Sequence, residues 1–187
     1  MTNFYANITL QGPAQADVAA YLNDRRQVAY VSGTVKDATV VFHEDFAAQE
    51  EVAAGLSAHF RCPALLAMVF GGTVLLYHLY TGGEQVDAYV STPHEGLELD
   101  GPAPAGNAET LCAAFGMERR ASSVARVLSR PTKPNSDYAL AVNRHGELLR
   151  ALNLPLFAAG AGFASIESGE LPMGPGFEPG TMVRTGT

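Results

Sequence analysis

No stretch of this 187-residue chain approaches the roughly 20 consecutive apolar residues that a membrane-crossing helix needs. The longest apolar run, Ala64 to Phe70, is strand-sized. The opening MTNFYANITL lacks a basic patch followed by an apolar stretch, so no secretory leader is read there. Cysteine is scarce: Cys62 and Cys112 are the only two, and neither sits in a CxxC. That excludes a disulfide framework and leaves both as small buried hydrophobes. Lysine is equally scarce, with only Lys36 and Lys133, and the formal net charge is -7. The tightest basic cluster, Arg119, Arg120, Arg126 and Arg130, does not outweigh that acidity. Nucleic acid and membrane surfaces are therefore not expected as partners. Motifs that announce chemistry are missing too: no GxSxG elbow, P-loop, EF-hand loop or HExxH occurs. The Gly160-Ala161-Gly162 pair falls short of a dinucleotide fingerprint, because the third glycine position holds Ser165. No cofactor is expected. The missing span and leader lead to the expectation of a soluble, cytoplasmic protein, the net charge makes it acidic, and the arginine bias with abundant alanine and glycine points to a bacterial source.

What the chain does contain is apolar periodicity, with about half its residues hydrophobic. AQADVAAYL (Ala14–Leu22) and AQEEVAAGL (Ala48–Leu56) share six of nine residues at an offset of 34. Each lies between strand-like segments. Ile8 and Leu10 alternate with polar neighbours ahead of Gly12-Pro13, and Gln27 to Val31 follows the first copy. Thr39 to His43 precedes the second copy and Ala64 to Phe70 follows it. Val18, Tyr21 and Leu22, and then Val52, Leu56 and Phe60, make apolar helical stripes. Asp45 is placed to cap the second helix, and Pro63 stops it near Cys62. The resulting order, βαββαβ, resembles the ferredoxin-like α+β sandwich. Shared buried positions predict two equivalent helices lying side by side on one sheet face. Beyond Phe70, Gly71-Gly72 and Gly82-Gly83 mark turns of a meander that adds an antiparallel hairpin to the sheet. Leu75 to Pro93, LLYHLYTGGEQVDAYVSTP, resembles a recurring pattern among uncharacterised bacterial proteins, a resemblance that implies no activity.

The fold class expected is thus α+β: a ferredoxin-like sheet, extended by a hairpin, with a C-terminal helical segment packed on it. Residues 1–93 form the sheet region and 94–106 a loop. Residues 107–170 form a helical segment ending in a short strand at Phe163 to Glu167, and 171–187 a Gly/Pro-rich, flexible tail. The whole is expected to make one compact unit, since short helices cannot bury their stripes alone. Asn107 is placed to cap the first of these helices, and a third helix runs from about Ser136 to Leu152.

Three groups of residues are candidates for function. Tyr77, His78, Tyr80 and Tyr89, with Glu84 and Asp87, crowd one hairpin and suit a binding surface; ordinary cross-strand aromatic pairing is the competing reading. His145 lies among Ala141, Val142, Leu148 and Leu149 on an apolar helix face, as a core histidine bonded to a carbonyl or a pocket acid or base. His43 and Asp45 share a side of a strand end and could ligate a metal if His78 or His94 joined them; helix capping is the plainer role. The ranking is a non-catalytic protein-interaction module first, binding a protein partner or a second copy through the hairpin. A small-ligand-binding or regulatory domain, with a pocket between the sheet and the C-terminal helices near His145, comes second. A metal-dependent hydrolase built on His43 and Asp45 comes third.

Overall fold

The computed structural model describes residues 4–92, 102–129 and 140–186. Its elements run β1 (Tyr5–Gln11), α1 (Gln15–Asp24), β2 (Ala29–Val31), β3 (Ala38–His43), α2 (Gln49–Phe60), β4 (Pro63–Phe70), β5 (Val74–Thr81) and β6 (Glu84–Val90). They continue through α3 (Ala108–Ala114), α4 (Ala121–Leu128), α5 (Ala141–Ala151), α6 (Phe163–Glu167) and β7 (Val183–Arg184). The strands form one seven-stranded antiparallel sheet in the order β6-β5-β4-β1-β3-β2-β7. β4 reads as a continuous apolar run, and both β4 and the more polar β1 are buried along their length, because they lie inside the sheet with both faces covered.

Two cores result, one on each face. On the first, Ala6, Ile8 and Leu10 of β1 and Ala64 and Leu66 of β4 meet Val18, Ala19 and Leu22 of α1 and Val52, Ala53 and Leu56 of α2. These helix residues occupy matching positions of the two alanine-rich copies, as the spacing predicts. The shared glutamine also has one job in both: Gln15 Nε2 donates to the Val31 carbonyl at 2.9 Å, and Gln49 Nε2 to the His43 carbonyl at 3.0 Å. The copies differ at Tyr21 and Gly55, and those two positions touch. A Cβ on Gly55 would lie 2.8 Å from Tyr21 Oη, so the missing side chain seats the tyrosine.

On the second face, Tyr5, Phe42, Leu65, Val69, Leu75 and Tyr77 meet residues of α3, α4, α5 and α6. Asn107 caps α3, its Oδ1 accepting from the Glu109 and Thr110 amides at 3.0 Å. The start of α5 is tied to the β4–β5 turn, where the Ala141 amide donates to the Gly72 carbonyl at 2.9 Å. The hairpin turn falls at Gly82-Gly83, with φ of 62° and 90°, values that suit glycine. A register shift lies between Leu79 and Tyr80, just before the turn.

Several local expectations are corrected. α2 starts at Gln49, not at Asp45; the Asp45 carboxylate instead accepts from the Ala47 amide, closing a turn before the helix. Phe163–Glu167 is a helix rather than a strand. Ser165 Oγ donates to the Gly162 carbonyl and accepts from its amide, which stabilises the helical start, while the apolar residues Phe163 and Ile166 recur at i, i+3. The tail contributes β7 to the sheet, anchored by Thr185 Oγ1, which accepts from the Ala29 amide at 3.1 Å. Its Gly/Pro content conceals this because two paired residues leave no periodicity. The expected helix start near Ser136 and most of the 94–106 loop lie outside the described residues.

Leu56 is fully buried between helix and sheet. Leu56→Ala is expected to cost about 2–5 kcal/mol in chemical denaturation. Glu51→Ala, on the exposed side of the same helix, is expected to stay within about 0.5 kcal/mol.

Candidate functional site

The two β-faces divide the hairpin residues. Side chains alternate across a strand, so Tyr77 and Tyr89, directly opposite in register, face the C-terminal helices, and His78 and Tyr80 lie in the other half of the alternation. Tyr77 and Tyr89 are fully buried, their rings stacked with centroids 5.5 Å apart. Tyr77 Oη donates to Asp87 Oδ2 at 2.7 Å, and the Asp87 carboxylate also accepts from the Asn107 amide, at the start of α3. Burial and the Asp87 carboxylate both hold the Tyr77 hydroxyl well above its ordinary pKa. Tyr89 Oη accepts from Arg144 at 2.6 Å, and the same buried guanidinium donates to the Val127 and Ser129 carbonyls. This chain of polar contacts fastens α3, α4 and α5 to the sheet. Tyr77 and Tyr89 lie beneath those helices and not on the surface.

His78 and Tyr80 sit toward α2, with ring centroids 6.3 Å apart. His78 Nδ1 lies 3.3 Å from Glu50 Oε1. Burial lowers the His78 pKa, with Glu50 opposing that shift. Tyr80 is buried, and its hydroxyl is pushed up to about 12, chiefly by burial and secondly by Glu50. The hairpin tyrosines thus do not share one outward face.

His43 is buried with both ring nitrogens engaged. Nε2 faces Gln27 Oε1 at 2.5 Å, and Nδ1 accepts from the Asp45 amide at 3.2 Å. Both ring nitrogens are thus taken up by neighbouring groups of the chain. His78 lies against Glu50, and His94 falls outside the described residues. Among the described residues no three of His, Cys, Asp and Glu converge as metal ligands. His43 and Asp45 are thus placed in a hydrogen-bonded turn ahead of α2, His43 against Gln27 and the Asp45 backbone, and the Asp45 carboxylate against the Ala47 amide.

His145 stands behind a cavity wall, one side chain removed. It is wholly buried on α5, and its Nδ1 is 2.9 Å from the hydroxyl of Tyr5 on β1, with the rings stacked at 5.8 Å. The expected carbonyl partner is thus a tyrosine hydroxyl instead. The Gly160 amide also faces that hydroxyl. Burial lowers the His145 pKa to about 4, and burial raises that of Tyr5, so both groups stay neutral near pH 7. His145 Nε2 is buried with no hydrogen-bond partner among the described residues. Tyr5 in turn lines a cleft of about 560 Å³. Val69 and Gly72 continue its sheet side; Leu140 and Val142 come from the start of α5; Ala159, Gly160, Ala161 and Ser165 come from the loop before α6 and its first turn; Glu170, Leu171, Pro172 and Met173 close it.

β1 fixes the position of that loop. Asn7, two residues beyond Tyr5 and on the same side of the strand, donates from Nδ2 to the Ala158 and Ala161 carbonyls at 2.7 and 2.9 Å. Gly162 permits the close approach, since a Cβ there would lie 2.9 Å from Tyr5 Cβ. Sequence reasoning singled out His145 but missed Tyr5, Asn7 and the wall after Ser165. Their signal is tertiary: a Tyr and an Asn buried in a central strand, facing a glycine-punctuated loop about 150 residues later in the chain.

Comparisons with protein-family models, curated proteins and solved structures find no match. No helix among the described residues is long and apolar enough to cross a membrane.

The buried imidazole makes stability depend on pH. With the folded pKa near 4 and the unfolded one near 6.5, the unfolded chain binds the extra proton, so stability is full above about pH 6.5 and falls as pH drops toward 4. The loss assigned to this group is on the order of 3 kcal/mol. In His145→Gln, whose amide can still meet the Tyr5 hydroxyl, denaturation across pH 4–7 should show a correspondingly shallower decline.

Proposed function

We propose that this protein is a small-ligand-binding module whose site is the cleft between β1, β4 and the α5–α6 segment. The observation that carries this reading is a cleft of about 560 Å³, within the size range of small-molecule sites, whose wall is mainly apolar with few polar groups. Its rim reinforces the point. Leu140, Leu171 and Met173 are three of the large apolar residues that remain exposed among the described residues, and all three line this cleft. The neutral Tyr5–His145 pair supplies a hydrogen-bonding hydroxyl without a charge. That arrangement suits recognition better than proton transfer near pH 7.

We read the scaffold as a ferredoxin-like unit over residues 5–70. The βαββαβ chain order, the strand order β4-β1-β3-β2, and two helices sharing one core support this reading. The third hairpin and the C-terminal layer are additions that create the cleft. Two buried free thiols, Cys62 and Cys112, fit a reducing, cytoplasmic setting. The protein-interaction reading has less support, because Tyr77, Tyr80 and Tyr89, on which it rested, are buried. The metal-dependent hydrolase has least, given the hydrogen bonds that occupy His43.

Nile red, an uncharged solvatochromic dye, should bind saturably at one site per chain with a blue-shifted emission. Val142→Trp, which places a large ring in the cleft wall, should weaken that binding at least ten-fold while leaving the far-ultraviolet circular dichroism unchanged. Absence of saturable binding, or binding indifferent to the substitution, overturns the reading.

A further inference from the structure

We infer that the ligand is a lipophilic cation, an amine or other positively charged group on an apolar body, and not a carboxylate or phosphate. This inference rests on the cleft being a binding site, and it concerns what the site selects. The wall is mainly apolar: Val69, Val142, Ala159, Ala161, Leu171 and Pro172 offer only dispersion and hydrophobic contact to a ligand.

The few polar groups in the wall decide the sign of charge. Ser165 Oγ is spent within its own turn, donating to the Gly162 carbonyl and accepting from its amide. The Tyr5 hydroxyl is held by His145 Nδ1 and the Gly160 amide, and its pKa is raised, so it carries no charge. Among the described lining residues no Lys, Arg or His occurs, and Glu170 is the one acidic or basic residue. An anionic headgroup would enter a mainly apolar cleft with no counter-charge among the described lining residues and would face a carboxylate of its own sign, an arrangement that is disfavoured twice, by desolvation and by repulsion. A cationic headgroup does the opposite. Its apolar body fills the chamber, and its charge stays at the solvent-exposed rim beside Glu170, where neither ion needs full desolvation. The net charge of -7 also favours the encounter of a cation with the protein.

Site selection and general attraction are separable by experiment. Decylamine, decanol and decanoate have the same ten-carbon body and differ in head charge. Each is titrated below its micellar range as a competitor of bound Nile red, at pH 7 and moderate salt, on the full chain and on Glu170→Gln. Glu170 is exposed, and its amide donates to the Ser165 carbonyl through the backbone, so the substitution leaves that bond in place. The expected order is decylamine about three-fold tighter than decanol, and about ten-fold tighter than decanoate, with the differences largely lost in Glu170→Gln; the modest factor is what a solvent-exposed ion pair delivers. Equal competition by all three, tighter decanoate, or an amine preference that survives Glu170→Gln overturns the charge selection while leaving the cleft a binding site. Absence of saturable Nile red binding in the first place overturns the underlying reading as well.

Discussion

The guanidinium of Arg144 is the contact on which the C-terminal half of the molecule depends. It is buried, and a buried charge is tolerable only where hydrogen bonds replace its water. Here it donates to Tyr89 on the sheet and to the Val127 and Ser129 carbonyls at the end of α4. A cation there also suits the negative end of that helix. α5 carries Arg144, so this one group fixes the relation of α4, α5 and the β5–β6 hairpin. Once α5 is fixed, its next residue, His145, meets Tyr5, and Val142 is presented to the cleft. The polar contacts of Arg144 and the cleft wall are thus joined through one helix, α5.

Sheet burial on two sides explains why the sequence was informative where it was. α1 and α2 pack by periodic apolar stripes, and a stripe is readable from spacing alone: Val18, Leu22, Val52 and Leu56 are all in the core. The Asn107 cap and the Gly82-Gly83 turn were legible for the same reason, since both are local chemistry. The second face is held by contacts between distant segments. Tyr77 and Tyr89 look like surface aromatics in a hairpin until α3, α4 and α5 cover them, and nothing within the hairpin announces that cover. The expectation of a shared tyrosine surface fails on that point.

The candidate site was legible only through His145. Its apolar neighbours flagged an unusual histidine, and it stands one side chain behind the cleft wall. Tyr5 and Asn7 carried no comparable signal, because a polar residue in a strand ordinarily reads as the solvent side of an alternating pattern. Apart from His145, their partners are the carbonyls and amide of residues 158–161, backbone groups that no side-chain motif can encode. The short helix α6 was misread as a strand because its stabilising group, Ser165, bonds backward to Gly162 rather than contributing to a periodic pattern.

The contact between Tyr21 and Gly55 has a meaning beyond packing. These are the same position in two related helices, and the structure uses it once as a knob and once as a hole. A side chain at position 55 would have to displace the Tyr21 hydroxyl, so the two positions are coupled in volume. A change that restores the resemblance between the copies, tyrosine to tyrosine, would separate the helices. What keeps the two nine-residue segments unlike at this point is the very symmetry that makes them alike elsewhere.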